Sequence, residues 1–386
     1  MRILHVTPYF APAHRHGELG EAVYRQCIAV ARAGCDVKVL TTNADGPRAK
    51  LEISTRREYV IAAGLAARYC QRRMGLSLSS QMMRLLLART RSADIVHLTS
   101  VHSFPVIPAM LACRLFGKPM VWSPRGDLRR GGRVALRRTW SGICRIAAPS
   151  AITLHFTSET ERNESMRSTL INAVVIPDGV QLPRISHNQG DGRLRLGYSG
   201  RLKPGSGLET VIAAGRLLQD AGVAFSLIIA GGGASRYVAR LKSAIAKAGL
   251  AANVTMRGHL SAAARIKLFA DIDLLVAPAS DSFISISEAL ACEVPVIAGK
   301  GADWSRLEKI GCGLQVDNDP ASIAAAIDRM RLQTLPEMGR RGRHWMTAEF
   351  SWDRAACEMC NCYSHLLHGR PIFADMPEAA TRDASF

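Results

Sequence analysis

The sequence predicts an α/β protein built from two doubly wound domains, and three observations carry that expectation. Short, nearly continuous apolar runs alternate with helical patterns along the chain. One polar segment, RISHNQGDGR from Arg184 to Arg193, interrupts the alternation near the middle. The length of 386 residues exceeds what a single core usually holds. Continuous apolar runs suit parallel strands covered by helices on both faces, whereas strands with one wet face alternate strictly.

Taken in order, the first half reads as strands at RILHVTP, DVKVLTT, DIVHLTS, PMVWSPR, AITLHFTS and AVVIPDGV, with helical spacing between them. The second half repeats the plan at LRLGYSG, FSLIIAGGG, NVTMRG, DLLVAPA, PVIAGK and CGLQVD. The N-terminal domain is therefore expected over residues 1–185, a linker over 186–193 and a C-terminal domain over 194–349. The pattern FSWDRAACEMCNCYSHLL reads as a closing helix over 350–368, and 369–386 lacks periodicity and is expected to be a disordered tail. In such folds ligands bind outside the carboxyl ends of the strands, so candidate residues are sought in the loops that follow strands.

Composition narrows the partners. The formal net charge is +18, and residues 1–190 hold most of it, with 27 Lys and Arg against 12 Asp and Glu. Such a field favours anionic lipid, phosphorylated substrate or nucleic acid. No zinc-finger spacing and no aromatic-studded RNA-binding strand accompanies it, so no nucleic-acid partner is expected. Ten cysteines without framework spacing suit a reducing compartment. MRILHVTPYF reads as a first strand and not as an export signal, and no apolar run reaches the length of a membrane span, so a cytoplasmic location is expected. The basic stretches AARYCQRRMGLSLSSQMMRLLLARTR and RGDLRRGGRVALRRTW suggest peripheral contact with an anionic membrane face. An ordinary amphipathic helix with solvated arginines is the alternative. Cys357, Cys360, Cys362, His365 and His368 share one helical pattern, which cannot wrap a tetrahedral zinc site, so no metal is expected there.

The stretch GRLKPGSGLETV, Gly200 to Val211, sets a glycine-rich turn between a strand and a helix. A helix N-terminus presents unpaired N–H groups and the positive end of its dipole, so this order favours an anion. Arg201 offers a two-pronged guanidinium suited to phosphate oxygens, and Lys203 offers a point charge.

These residues belong to a longer series. MRILHVTPYFAPAHRHGELGEAVYRQCIAVARAGCDVKVLTTN, WSPRGDL, IPDGV, GYSGRLKPGSGLETVIAAGRLL, IAGGG, RGHLS, SEALACEVPVIAG and FSWDRAA occur in that order over roughly residues 1–368. Together they resemble a family-4, group 1 glycosyltransferase of the GT-B fold, in which two Rossmann-like domains face each other across a cleft. The resemblance implies a nucleotide diphosphate sugar donor bound mainly by the C-terminal domain. It implies a saccharide or lipid-linked saccharide acceptor bound mainly by the N-terminal domain, in envelope or exopolysaccharide synthesis. It also implies no metal cofactor and retention at the anomeric carbon.

Carried over position by position, the resemblance makes Arg201 the phosphate-contacting arginine. Ser206 stands where the family usually has a lysine, which leaves Lys203 as the neighbouring cation of the donor site. Glu288 matches the acid that accepts hydrogen bonds from the nucleotide ribose, at the start of a predicted helix. Asp281 stands for the sugar-contacting acid, in a turn, DSFISISE, that lacks the family's glycine; an alternative alignment keeps the family's spacing and puts Ser280 in that place. Gly17 is one of two usually adjacent glycines in the first βα loop, and Glu18 fills the second place. His97 and His102 lie in the region that lines the acceptor side, and Arg125 sits at a strand end where it would meet an acceptor anion. Asp281 and His102 are the catalytic candidates. Each residue also has a bland counterpart: solvated cations, a helix-initiating acid, core or surface histidines, a structural ion pair.

Other readings stay open. Three altered donor contacts suit a catalytically weak or inactive homologue that acts as a binding partner in glycan assembly. A nucleotide sugar epimerase of similar fold would need a dense set of acids and histidines.

Overall fold

The computed structural model describes residues 1–13, 19–45, 49–72, 79–126, 142–144, 146–165, 172–188, 192–278, 283–300 and 304–368. They form two compact units, Met1–Gly179 joined by the segment from Trp352, and Val180–Ser351. Gly17, Asp281 and most of RGDLRRGGRVALRRTW, like the tail beyond residue 368, lie outside the described residues.

The first unit is a sheet of eight strands among the described residues: β1 (Arg2–Val6), β2 (Asp36–Thr42), β3 (Glu58–Ala62), β4 (Leu65–Cys70), β5 (Ile95–Thr99), β6 (Met120–Ser123), β7 (Ile152–Phe156) and β8 (Asn172–Val175). Their order is β3-β4-β2-β1-β5-β6-β7-β8. All neighbours are parallel except the hairpin of β3 and β4. The helices between them are α1 (Leu19–Arg32), α2 (Ser80–Ser92), α3 (Val106–Phe116) and α4 (Glu159–Ser165). The two-residue period sorts the strand side chains onto opposite faces. Ile3, Val37, Val39, Ile95 and Val121 pack on one face, and Leu4, Leu40, Val96, Leu98 and Met120 on the other. Met82 and Leu86 of α2 are spent on this second core, so the apolar stripe of that arginine-bearing helix faces its own sheet.

The second unit has six strands among the described residues: β9 (Leu194–Ser199), β10 (Phe225–Ala230), β11 (Val254–Gly258), β12 (Leu274–Ala277), β13 (Val296–Gly299) and β14 (Gly313–Val316). Their order is β11-β10-β9-β12-β13-β14, all parallel. Among the described residues seven helices accompany them: α5 (Leu208–Asp220), α6 (Ser235–Lys247), α7 (Ala262–Ala270), α8 (Phe283–Ala291), α9 (Leu307–Ile310), α10 (Pro320–Arg331) and α11 (Leu335–Glu349). Leu274 and Val276 point into one core with Leu208 and Ile323, while Leu275 and Ala277 join Ile286 and Met346 in the other. The chain then returns to the first unit as α12 (Trp352–His368), whose Met359 and Tyr363 are buried with Ile3 and Val37.

Strand order fixes where a ligand site can form. In the first unit the chain winds outward from β1 in both directions, so the loops after β1 and β5 part at a switch point. In the second unit the equivalent switch lies between β9 and β12. The expected boundaries shift accordingly. The chain crosses between units at Gly179/Val180 and Ser351/Trp352, not through 186–193. Val180, Leu182 and Ile185 pack on the second unit's core, and the amide of Asn188 donates to the carbonyl of Ala270 at 3.1 Å. The polar composition of 184–193 hid Ile185, the apolar anchor within it. Among the described residues no helix is long and apolar enough to cross a membrane.

Within the first unit, a Cβ on Gly179 would fall 2.5 Å from the indole of Trp352, at the start of α12. Two of the contacting atoms belong to the rigid ring and a third, at 2.6 Å, is the Trp352 Cα. Gly179→Ala is therefore expected to destabilise the chain by about 1–3 kcal/mol in urea unfolding, as overpacking does; an unchanged midpoint would show that α12 is free to shift.

Candidate functional site

The loop after β9 and the loop after β12 flank the second unit's switch point, and they touch. Gly207, at φ 75°, precedes α5, and a Cβ there would sit 2.5 Å from Cγ of Pro278. A left-handed backbone and this close approach both require glycine. On the other side, the amide of Gly200 donates to Ala230 O at 3.1 Å, and a Cβ on Gly231 would meet Gly200 O at 1.8 Å. The loop Gly200–Gly207 is thus held at both ends.

Helix α10 closes its first turn conventionally, with the Asp319 carboxylate accepting from Ser322 N at 2.9 Å and Pro320 at its first position. Among the described residues no side chain caps the N-terminus of α5. Its first-turn Glu209 faces elsewhere, accepting from the Tyr237 hydroxyl at 2.7 Å and pairing with Arg240 at 3.2 Å. Arg201 and Lys203 are both exposed on the loop that leads into this helix. Two cations beside an uncapped helix N-terminus make a site for an anion.

Ser206 does not join them. It is 1% exposed, and its hydroxyl lies 3.2 Å from that of Tyr237, facing the core and not the ligand side of the loop. Its donor-site assignment is corrected to a structural one: a short polar side chain here reaches a buried tyrosine, where a lysine would have to extend outward.

Glu288 lies in α8, which has already run more than one turn from Phe283, so the helix start does not stabilise its carboxylate as the sequence suggested. Arg265 of α7 does. Its Nε donates to Oε2 at 2.8 Å and its Nη2 to Oε1 at 2.7 Å. Arg265 had no place in the sequence reading; its only signal there is a cation inside the apolar run AAARIKLF. Asp273 pairs with Arg195 at 2.5 Å at the entrance to β12.

In the first unit His102 is exposed in the bend after β5, beside the switch point. His97 is not. It is fully buried on the α1 and α12 side of the sheet, stacked on His5 with ring centroids 4.4 Å apart. Its acceptor-side assignment is therefore corrected: the third position of a five-residue inner strand points into the core. There it belongs to a chain of hydrogen bonds whose direction follows from its end. The Ile176 carbonyl can only accept, so His155 Nε2–H donates to it at 2.9 Å. His155 Nδ1 must then accept from the Ser123 hydroxyl, at 2.6 Å. The Ser123 oxygen accepts from His97 Nε2–H, and His97 Nδ1 accepts from the Tyr363 hydroxyl, each at 2.6 Å.

Arg125, at φ 55°, is likewise turned inward, its side chain 6% exposed. It pairs with Asp178 of IPDGV and donates to Gln26 Oε1 at 3.0 Å. Its acceptor-anion assignment is corrected to a structural ion pair, because Asp178 follows β8 closely enough to take the guanidinium. A surface hollow of about 560 Å³ between α9 and α11, lined by Arg306, Arg341 and Trp345, shares no residue with the strand-end loops.

A model described as "Glycosyl transferase 4-like domain" matches residues 17–179, and one described as "Glycosyl transferases group 1" matches residues 183–340. A GDP-mannose-dependent alpha-(1-6)-phosphatidylinositol dimannoside mannosyltransferase of Mycobacterium tuberculosis is 31% identical over 212 residues, covering 51% of this chain and 54% of that protein. The chain thus spans about half the length of that relative. A 2-deoxystreptamine glucosyltransferase of Streptomyces kanamyceticus is 25% identical over 305 residues, covering 70% of this chain and 77% of that protein. Among solved structures, Anabaena Alr3699/HepE in complex with UDP superimposes with a TM-score of 0.71 at 15% identity, covering 94% of this chain and all of that one. Sucrose-phosphate synthase of Thermosynechococcus elongatus gives 0.70 at 17% identity, over 96% of this chain and all of that one. The fold is GT-B, with two Rossmann-like units.

The histidine chain makes a pH test. Burial first, then the Arg125 charge, pushes His5 down from 6.5 to about 3 and His155 to about 4; burial also holds His97 well below 6.5. A histidine depressed in the folded state is neutral there while the unfolded one binds a proton, so stability is complete above pH about 6.5 and is lost as pH falls toward 4 and 3. Urea unfolding is expected to weaken between pH 7 and 5, by up to about 1.4 kcal/mol per pH unit for each such histidine. Tyr363→Phe should cost a further 1–2 kcal/mol or so at pH 7 by leaving His97 Nδ1 without a donor. Flat stability between pH 7 and 5 would contradict the assignment of neutral rings.

Proposed function

The chain belongs to the group 1 glycosyl transferases, and on that premise we propose that it transfers a sugar from a nucleotide diphosphate donor to a saccharide or lipid-linked saccharide acceptor. The observation that carries the donor half is the loop Gly200–Gly207, which sets two exposed cations beside the uncapped N-terminus of α5 at a switch point. Breaking a glycosyl–phosphate bond leaves charge on the departing diphosphate. Arg201, Lys203 and the first amides of α5 neutralise it, so the reaction as proposed requires no metal. Glu288 takes the ribose hydroxyls, and Asp281 contacts the transferred sugar. The first unit binds the acceptor, with His102 as its exposed polar group at the switch point.

Retention at the anomeric carbon and a role in envelope glycan synthesis follow from the family reading. The names of two relatives, a mannosyltransferase acting on a phosphatidylinositol mannoside and a glucosyltransferase acting on an aminocyclitol, support a polar hydroxylated acceptor. The basic excess of residues 1–190 supports work at an anionic membrane face, where a lipid-linked acceptor resides. One observation favours a second reading, a weak transferase that serves as a binding partner: the inward Ser206 leaves the loop one cation short of its family's pattern.

A single-turnover assay with UDP- and GDP-linked hexoses separates the two. Transfer or donor hydrolysis with at least one donor is expected, and Arg201→Ala should lower kcat/KM by about 100-fold, as losing one anion-stabilising group does. No turnover with any donor, alongside intact nucleotide binding, would favour the binding-partner reading.

A further inference from the structure

The pair between Arg265 and Glu288 has an unusual setting. Arg265 sits in the first turn of α7, where Ser261 caps the helix through Ala264 N at 3.3 Å and no acidic residue is present. A cation at that end opposes the helix dipole. Helix electrostatics therefore do not account for the arginine; its carboxylate partner on α8 does.

The geometry of the pair is a fork. Nε and Nη2 reach the two oxygens of one carboxylate at 2.8 and 2.7 Å, so they take the lone pairs along its shared edge. A ribose presents two adjacent hydroxyls, and a cis-diol reaches a carboxylate through that same edge. Guanidinium and diol are alternatives there. The side chains are 20% and 24% exposed, so water reaches the pair and an incoming ligand can compete for it.

We propose that Arg265 is a specificity-determining residue that occupies the diol-binding edge of Glu288 and is exchanged for the ribose of an incoming nucleotide. The inference rests on the reading of Glu288 as the ribose-binding acid. It has a definite consequence: part of the binding free energy of the ribose hydroxyls is spent on displacing the arginine, so the protein discriminates a ribonucleotide from its 2′,3′-dideoxy form less than an unoccupied glutamate would.

Calorimetry with UDP, GDP and their 2′,3′-dideoxy analogues tests this on the full chain and on Arg265→Met, Arg265→Lys and Glu288→Gln. Arg265→Met should tighten the better ribonucleotide by about three- to tenfold, the scale of a partly exposed forked ion pair, and leave its dideoxy form unchanged. Arg265→Lys, which keeps the charge but loses the fork, should move the same ratio in the same direction and serves if the methionine variant unfolds. Glu288→Gln should bring the two nucleotides to similar affinity. If Glu288→Gln removes the discrimination but both Arg265 variants leave it unchanged or weaken ribonucleotide binding, Arg265 only supports the glutamate and the exchange is wrong. If Glu288→Gln leaves the discrimination intact, or no nucleotide binds, the ribose reading itself fails and the exchange fails with it.

Discussion

The close approach of two glycine backbones to their neighbours above the second sheet is the constraint on which the candidate site depends. Gly207 and Gly231 stand where any β-carbon would collide with Pro278 or with the carbonyl of Gly200. Without those collisions the loop after β9 nests between the ends of β10 and β12. With it fixed, the direction of α5 is fixed, and so is the direction in which the first amides of that helix point. Arg201 and Lys203 then act on a prepared field instead of creating one. Nothing in this arrangement needs a long side chain at position 206, which explains how Ser206 can turn inward onto Tyr237 without unravelling the turn.

The two units solve the same topological problem with different interiors. The second has an apolar sheet on both faces, from Leu274 through Val276 on one side and Leu275 through Ala277 on the other. The first carries three histidines, a serine and a tyrosine across the face that α12 covers. Buried polar groups are tolerable only when each finds a partner: Tyr363, His97, Ser123 and His155 pass one donor to the next until the Ile176 carbonyl ends the series, and His5 Nε2 bonds Thr99 Oγ1 at 2.9 Å. Because Tyr363 comes from the last described helix, the core of the first unit is completed by residues separated from it in sequence by the whole second unit. Arg125 and Asp178 close the same region at the strand ends, and their ion pair keeps a positive charge near imidazoles that must stay neutral.

Much of this was legible in the sequence. The alternation of apolar runs and helical patterns marked twelve of the strands, and GRLKPGSGLETV marked the glycine turn that leads from β9 into α5, since glycine punctuation leaves a direct trace in composition. The hairpin EYVIA and LAARYC was missed because a short edge ribbon joined through Gly64 has neither the length nor the uninterrupted apolar run of an inner strand. The unit boundary was misplaced because Val180 and Ile185 anchor through isolated apolar side chains in polar company. His97 and Arg125 stayed open between acceptor contacts and structural roles because motif matching locates a residue along a strand and not the face on which it lies; His97 is wholly buried, and the first exposed residue after it is His102. Arg265 was invisible for a related reason. Its meaning lies in a contact with Glu288, 23 residues away, that only the packing of α7 beside α8 creates.

The central claim is that a diphosphate binds at the N-terminus of α5. Amide hydrogen exchange with and without saturating UDP or GDP tests it most directly, because it reads the proposed donors themselves. Slowed exchange is expected at the amides of Gly205 to Thr210 with at least one nucleotide, and little change around the hollow between α9 and α11. Binding that leaves those amides unprotected while slowing exchange elsewhere would contradict it.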